Sequence, residues 1–150
     1  MTELDLAVRV AAGTFCGVLI GAERARDHKA TGMRTLSLVG LGAALLVGAV
    51  QLASGDDASA QSRVIQGLIT GVGFLGAGVI LHRAGDQAVH GLTTAAAVWV
   101  TTILGIVAGV GQIGAALTGA LLVVVVLLLG ERVDRAVARR FGSGDDGPQR

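Results

Sequence analysis

Residues 92–130 read LTTAAAVWVTTILGIVAGV, then GQ, then IGAALTGALLVVVVLLLG. Two apolar stretches, Leu92 to Val110 and Ile113 to Gly130, hold no charged side chain and are parted by Gly111 and Gln112 alone. Read as one helix, the segment would run about 58 Å at ~1.5 Å per residue, far beyond a hydrocarbon core roughly 30 Å thick. Read as two, each stretch is close to the roughly 20 residues that a crossing needs. The segment is therefore a hairpin of two membrane-spanning helices, with Gly111-Gln112 as its turn.

Working outward, the same rule finds three more spans: Leu4 to Ala22, which carries Asp5 and Arg9 near its start, Leu36 to Leu52, and Val64 to Leu81. The whole composition agrees. Over 150 residues, 52% of side chains are hydrophobic, 15% are charged and the mean hydropathy is +0.69, well away from soluble averages with about a quarter charged. The fold expected is all-α, a polytopic membrane bundle of about five helices over residues 1–130, followed by a short basic tail over 131–150. Glu3 and Asp5 stand where a cleaved leader would be positively charged, so the first span is expected to be retained.

Lys and Arg in short loops set orientation. With five spans, the loop from Glu23 to Thr35, the loop from His82 to Gly91 and the tail share one side. That side holds Arg24, Arg26, Lys29, Arg34, Arg83, Arg132, Arg135, Arg139, Arg140 and Arg150, against Arg9 and Arg63 on the other. The expectation is an outside N-terminus and a cytoplasmic C-terminus. The tail from Glu131 to Arg140 alternates charge and aliphatic residues; it reads either as an interfacial amphipathic helix or as the solvated end of the last span. From about Phe141 onward the composition reads as disordered.

Glycine makes up 24 positions. Gly13, Gly17 and Gly21 recur every four residues in the first span, and Gly67 with Gly71, then Gly105 with Gly109, repeat the interval. Small residues so spaced form grooves into which a neighbouring backbone can settle, so these are read as packing faces. Whether they pack within one chain or between two is open, and a homo-oligomer is the expectation carried forward. Gly71, Gly73 and Gly76 also spell G-x-G-x-x-G. That fingerprint works only between a strand and a helix start, and here it lies in the middle of an apolar run. A nucleotide site is refused. The remaining alternative is a distorted third span whose Gly71, Gly73, Gly76 and Gly78 line a path.

The ionisable groups need a structural reading beside any functional one. Asp5 and Arg9, four apart, suit a local ion pair snorkelling outward. Cys16, the lone cysteine, permits no intrachain disulfide and suits apolar packing. Topology gathers polar residues at the cytoplasmic edge: Glu23, Arg24, Arg34, Thr35, Thr93 and Thr94 form the candidate functional cluster, with the threonines suited to capping helix starts. Glu23 is the one candidate metal ligand there. Neither a hydrolytic triad nor paired zinc spacing among His28, His82 and His90 is legible, so no enzyme and no cofactor are expected. The net charge of +1 supplies no field to draw nucleic acid. The partner that composition does demand is the lipid bilayer.

Four stretches taken together are familiar: Gly17-Val18-Leu19-Ile20-Gly21-Ala22-Glu23-Arg24, Gly32-Met33-Arg34-Thr35, Gly71 to Leu81, and Gly91-Leu92-Thr93-Thr94-Ala95-Ala96-Ala97-Val98-Trp99. In this order and spacing they resemble the MgtC/SapB family of bacterial inner-membrane proteins. The resemblance implies a multi-pass protein of the inner membrane, linked to magnesium homeostasis or low-magnesium adaptation. It implies regulation of a partner membrane protein such as an ATP synthase or another ATPase. The alternative it carries is a small oligomeric transporter or channel for Mg2+ or another cation, with Mg2+ as ligand or substrate. Longer members carry a further cytoplasmic domain after the last span, so the expectation here is the shorter SapB-like form.

Overall fold

The structure, a computed structural model, describes residues 1–26, 31–55, 57–82 and 89–141, with backbone alone for 81–82, 89, 131 and 134–141. Expectations that fell on His28, Lys29, Arg83 and the tail from residue 142 lie outside the described residues. Among the described residues, five helices are long and apolar enough to cross a membrane. They are α1 (Glu3–Arg26), α2 (Met33–Ser54), α3 (Ala58–Val79), α4 (Leu92–Gly109) and α5 (Ile113–Phe141). The chain is an all-α, multi-pass membrane bundle.

Local chemistry fixes the ends. α1 opens on Glu3 and Asp5 and closes on Arg24 and Arg26, charges that complement its dipole at both termini. α3 starts at Ala58, ahead of its apolar run, because Asp57 caps it by accepting from the amides of Ser59 at 2.9 Å and Ala60 at 3.2 Å. The expected hairpin between α4 and α5 is present. Gly111 takes a φ of +95, its amide bonds the carbonyl of Ala108, and the amide of Gln112 bonds that of Val107. These two bonds around a left-handed residue make a Schellman turn, which satisfies orphan carbonyls at the end of α4. α5 runs on as one helix through Phe141.

Between α3 and α4 the sequence reading had only a loop, whereas the structure holds a two-residue antiparallel ribbon, Leu81 paired with His90 and His82 with Val89. Short pairing of this kind gives backbone groups partners where the helices stop. Gly91 leads out of it at a φ of +91, and a Cβ there would strike the carbonyl oxygen of Val79.

α1, α2 and α4 make the core, and the most extensive contact is between α1 and α2. Glycine is the reason. A Cβ on Gly13 would lie 2.7 Å from the Cβ of Ala44 and 2.8 Å from the carbonyl oxygen of Gly40. On Gly17 and Gly21 it would collide with the backbone of Leu36 and Met33, so α2 lies against the bare face of α1. From the other side, Gly105 and Gly109 of α4 bring hypothetical Cβ atoms to 2.6 Å from the oxygen of Gly40 and 2.9 Å from that of Ala44. Small side chains such as Cys16, Ala44, Ala97 and Ala108 fill what space remains.

The same glycine spacing in α3 does something else. Gly67 and Gly71, read from sequence as a packing face, have nothing within 4 Å of a Cβ, nor do Gly73 and Gly78. α3 is an unbroken helix through 71–76, so no distortion opens there. It is the least hydrophobic and least buried of the five, resting on α4 and more lightly on α2. Between α2 and α3 runs an apolar groove of about 650 Å³, lined in part by Thr35, Gly42, Leu46, Gly67 and Gly71.

One substitution thus has opposite consequences at two places. Gly17→Ala should destabilise the solubilised protein by roughly 1–3 kcal/mol through overpacking. Gly67→Ala should leave it unchanged or slightly more stable. Thermal unfolding in mild detergent, followed by loss of the monodisperse gel-filtration peak, measures both.

Candidate functional site

At the end of the bundle where α1 finishes, consecutive residues of opposite charge are both buried, Glu23 at 6% exposure and Arg24 at 4%. A charge removed from water is tolerated only with partners. Arg24 Nη2 donates to Thr94 Oγ1 in the first turn of α4. Thr94 is itself 4% exposed, as is Thr31 ahead of α2. The N-cap of α4 is Gly91, with no side-chain capping bond. Thr94 therefore spends its hydroxyl across helices, as an acceptor for an arginine, where capping had been the expected use.

The opposite end of the same helices holds a second arginine. Arg9 does pair with Asp5, at 2.8 Å, but it does not point outward as the sequence reading had it. Its Nη1 donates to Gln51 Oε1 of α2 at 2.6 Å and to the carbonyl oxygen of Gly109, in the last turn of α4, at 3.0 Å. The guanidinium also lies against Gly111, where a Cβ would come 2.9 Å from its central carbon. A cation on terminal carbonyls is favourable there because the helix dipole is negative at its C-terminus. With side-chain exposures of 13% for Arg9 and 41% for Asp5, the inward bonds dominate and the ion pair is the wetter, weaker contact.

One geometry relates the two arginines. They are 15 positions apart on α1, about 22 Å at ~1.5 Å per residue, and each hydrogen-bonds one end of α4. Where α1, α2 and α4 meet backbone to backbone, a guanidinium closes either end, buried at Arg24 and half-buried at Arg9.

Of the six residues in the candidate cluster, the structure buries Glu23, Arg24 and Thr94 and joins the last two directly. Arg34, Thr35 and Thr93 are exposed; Thr35 lines the groove between α2 and α3. Of the four glycines singled out in the third span, a Cβ on Gly76 would meet the Cβ of Ala95 at 3.7 Å and the other three face open space. Among the described residues, no group of three or more His, Cys, Asp or Glu side chains converges as a metal cage. Thr31, Gln51 and the inward role of Arg9 went unread. A signal existed for one of them: Gln51 is the only amide side chain in the second span, far from Ser37 at its other end, and such a residue usually has a partner across helices.

The Arg24–Thr94 contact makes a sharp prediction. Thr94→Val keeps shape but leaves a buried guanidinium short of an acceptor, and should cost about 1.5–3 kcal/mol. Thr93→Val, one position round on an exposed face, should stay within about 0.5 kcal/mol. Parallel thermal denaturation of the two variants in detergent reads the difference.

Comparison with known proteins places this architecture. SrpB of Synechococcus elongatus is 45% identical over 118 residues, covering 72% of this chain and 65% of its own length. MgtC of Brucella abortus is 40% identical over 116 residues, covering 77% of this chain and 47% of its own. YhiD of Escherichia coli strain K12, named as a proposed magnesium transporter, is 40% identical over 124 residues, with 79% and 56% covered. The chain thus spans about half to two thirds of the length of the curated relatives it matches. No solved structure matches it. The MgtC family pattern fits residues 10–136, from the second turn of α1 to beyond the apolar part of α5, and the chain belongs to the MgtC family.

Proposed function

We propose that this protein is a non-enzymatic regulator in the bacterial inner membrane, tied to magnesium homeostasis, that acts by binding and modulating a partner membrane protein. In this reading its N-terminus is outside and the Glu23 end of the bundle is cytoplasmic. The magnesium link rests on the family and on the name of YhiD.

The observation that carries regulation over transport is the arginine at either end of the glycine-sealed core. A divalent cation about 6 Å from a guanidinium, at an effective dielectric near 20, is repelled by on the order of 5 kcal/mol. Asp5 and Glu23 offset part of that, but a path between α1, α2 and α4 would meet the barrier twice and would have no width between touching backbones. Arginines in this position serve elsewhere to exclude cations. A second reading, an oligomeric Mg2+ or cation transporter, has one observation in its favour: the exposed polar residues of α3 could line a path between copies rather than within one.

The two readings part in a single preparation. The chain purified from its native membrane in mild detergent should bring down a specific membrane protein, and Arg24→Ala should reduce its recovery. Reconstituted alone in liposomes under a Mg2+ gradient, it should give no flux above empty vesicles. Mg2+ entry abolished by Glu23→Ala would overturn the regulator reading.

A further inference from the structure

The outward face of α3 is polar where the bilayer is apolar. Ser59, Ser62, Gln66, Thr70, Gly73 and Ala77 recur at intervals of three or four residues and are all exposed, so they form one stripe along the helix. Gln66 lies eight residues from the start of α3 and Thr70 twelve, about 12 and 18 Å along the axis at ~1.5 Å per residue. Counted from Val64, where the apolar run begins, Gln66 is about 3 Å and Thr70 about 9 Å into a hydrocarbon core some 30 Å thick. Within the helix, Thr70 Oγ1 donates to the carbonyl oxygen of Gln66 at 2.8 Å and Gln66 Nε2 donates to Ser62 Oγ at 3.1 Å. Those bonds leave Gln66 its carboxamide oxygen and a second N–H for a partner outside the helix. Acyl chains offer neither donor nor acceptor, and a polar group facing them is costly.

We propose that this stripe is the interface with a second copy of the chain, in a parallel pair with its two-fold axis along the membrane normal. Copies inserted alike hold each residue at the same depth, so Gln66 meets Gln66 across the axis, with Thr70 one turn further along. A carboxamide is donor and acceptor at once and can bond its own image. A carboxylate or an ammonium could not. Farther along, Gly73 and Ala77 let the backbones approach, where larger side chains would hold them apart. Arg63, the charge nearest the stripe, is one position round and donates to Ser59 Oγ at 2.5 Å. It lies within about 8 Å of the helix start, where headgroups and water screen repulsion from its image.

The test uses the full chain in its own membranes. Native Cys16 is fully buried and serves as a silent background. Oxidation should cross-link Gln66→Cys and Thr70→Cys into covalent dimers of this chain. Leu122→Cys, on the exposed face of α5, should stay monomeric. In liposomes carrying two fluorophore-labelled populations, Gln66→Leu should weaken association roughly 3- to 20-fold, the effect of losing one interhelical hydrogen bond in a membrane, and Gln66→Asn should restore most of it. Equal cross-linking at residues 66 and 122, a cross-link at 66 to a different protein only, or undiminished association of Gln66→Leu would each overturn the proposal.

Discussion

Everything in this bundle depends on the approach of α2 to the bare face of α1. With Gly13, Gly17 and Gly21 presenting no side chains, backbone touches backbone, and α4 repeats the contact through Gly105 and Gly109. In lipid, where apolar side chains gain little by leaving acyl chains for one another, such dispersion contacts are a principal force between helices. The tightness also dictates what cannot lie in the middle. No long polar side chain fits between touching backbones, so Arg9, half-buried, and Arg24, buried, emerge where the helices begin to part, one toward each end of α1.

That placement explains why the fold was legible in the sequence and the site only partly so. The hairpin at Gly111-Gln112 and the number of spans follow from hydropathy and bilayer thickness, quantities that do not depend on what packs against what. The glycine intervals are a different kind of sign. Gly17 and Gly67 have the same local pattern, yet one is pressed against Leu36 and the other faces open space, because only α1 has a partner on that side. Spacing identifies a face, and the partner decides its use. Arg9 shows the same limit: Asp5 is four residues away and easily paired on paper, whereas Gln51 and Gly109 are 42 and 100 residues away and meet it only in the folded bundle. Thr93 and Thr94 differ only by the rotation of α4, which sequence periodicity does not fix to a single residue.

The two arginines also make α1 and α4 mutually dependent. Each end of α4 is held by a donor from α1, at Thr94 and at the Gly109 carbonyl, so sliding one helix along the other would break both bonds together. α3, by contrast, rests on α4 and α2 through apolar side chains such as Val64, Ile65, Leu68 and Ile69. The bundle is therefore a tightly packed three-helix unit with α3 and α5 resting on it, and these two helices, the least buried of the five, offer the surfaces most open to other proteins in the membrane.

α5 adds a mechanical consequence. Its apolar part ends at Gly130, but the helix continues without a break to Phe141, a further 11 residues or about 16 Å. A continuous helix carries its orientation through the membrane surface. A tilt of about 10° in the span would swing the far end of that extension by roughly 3 Å, given the ~1.5 Å rise per residue. α5 thus works as a pointer: whatever shifts its packing against α1 and α4 inside the bilayer is displayed, enlarged, beyond it.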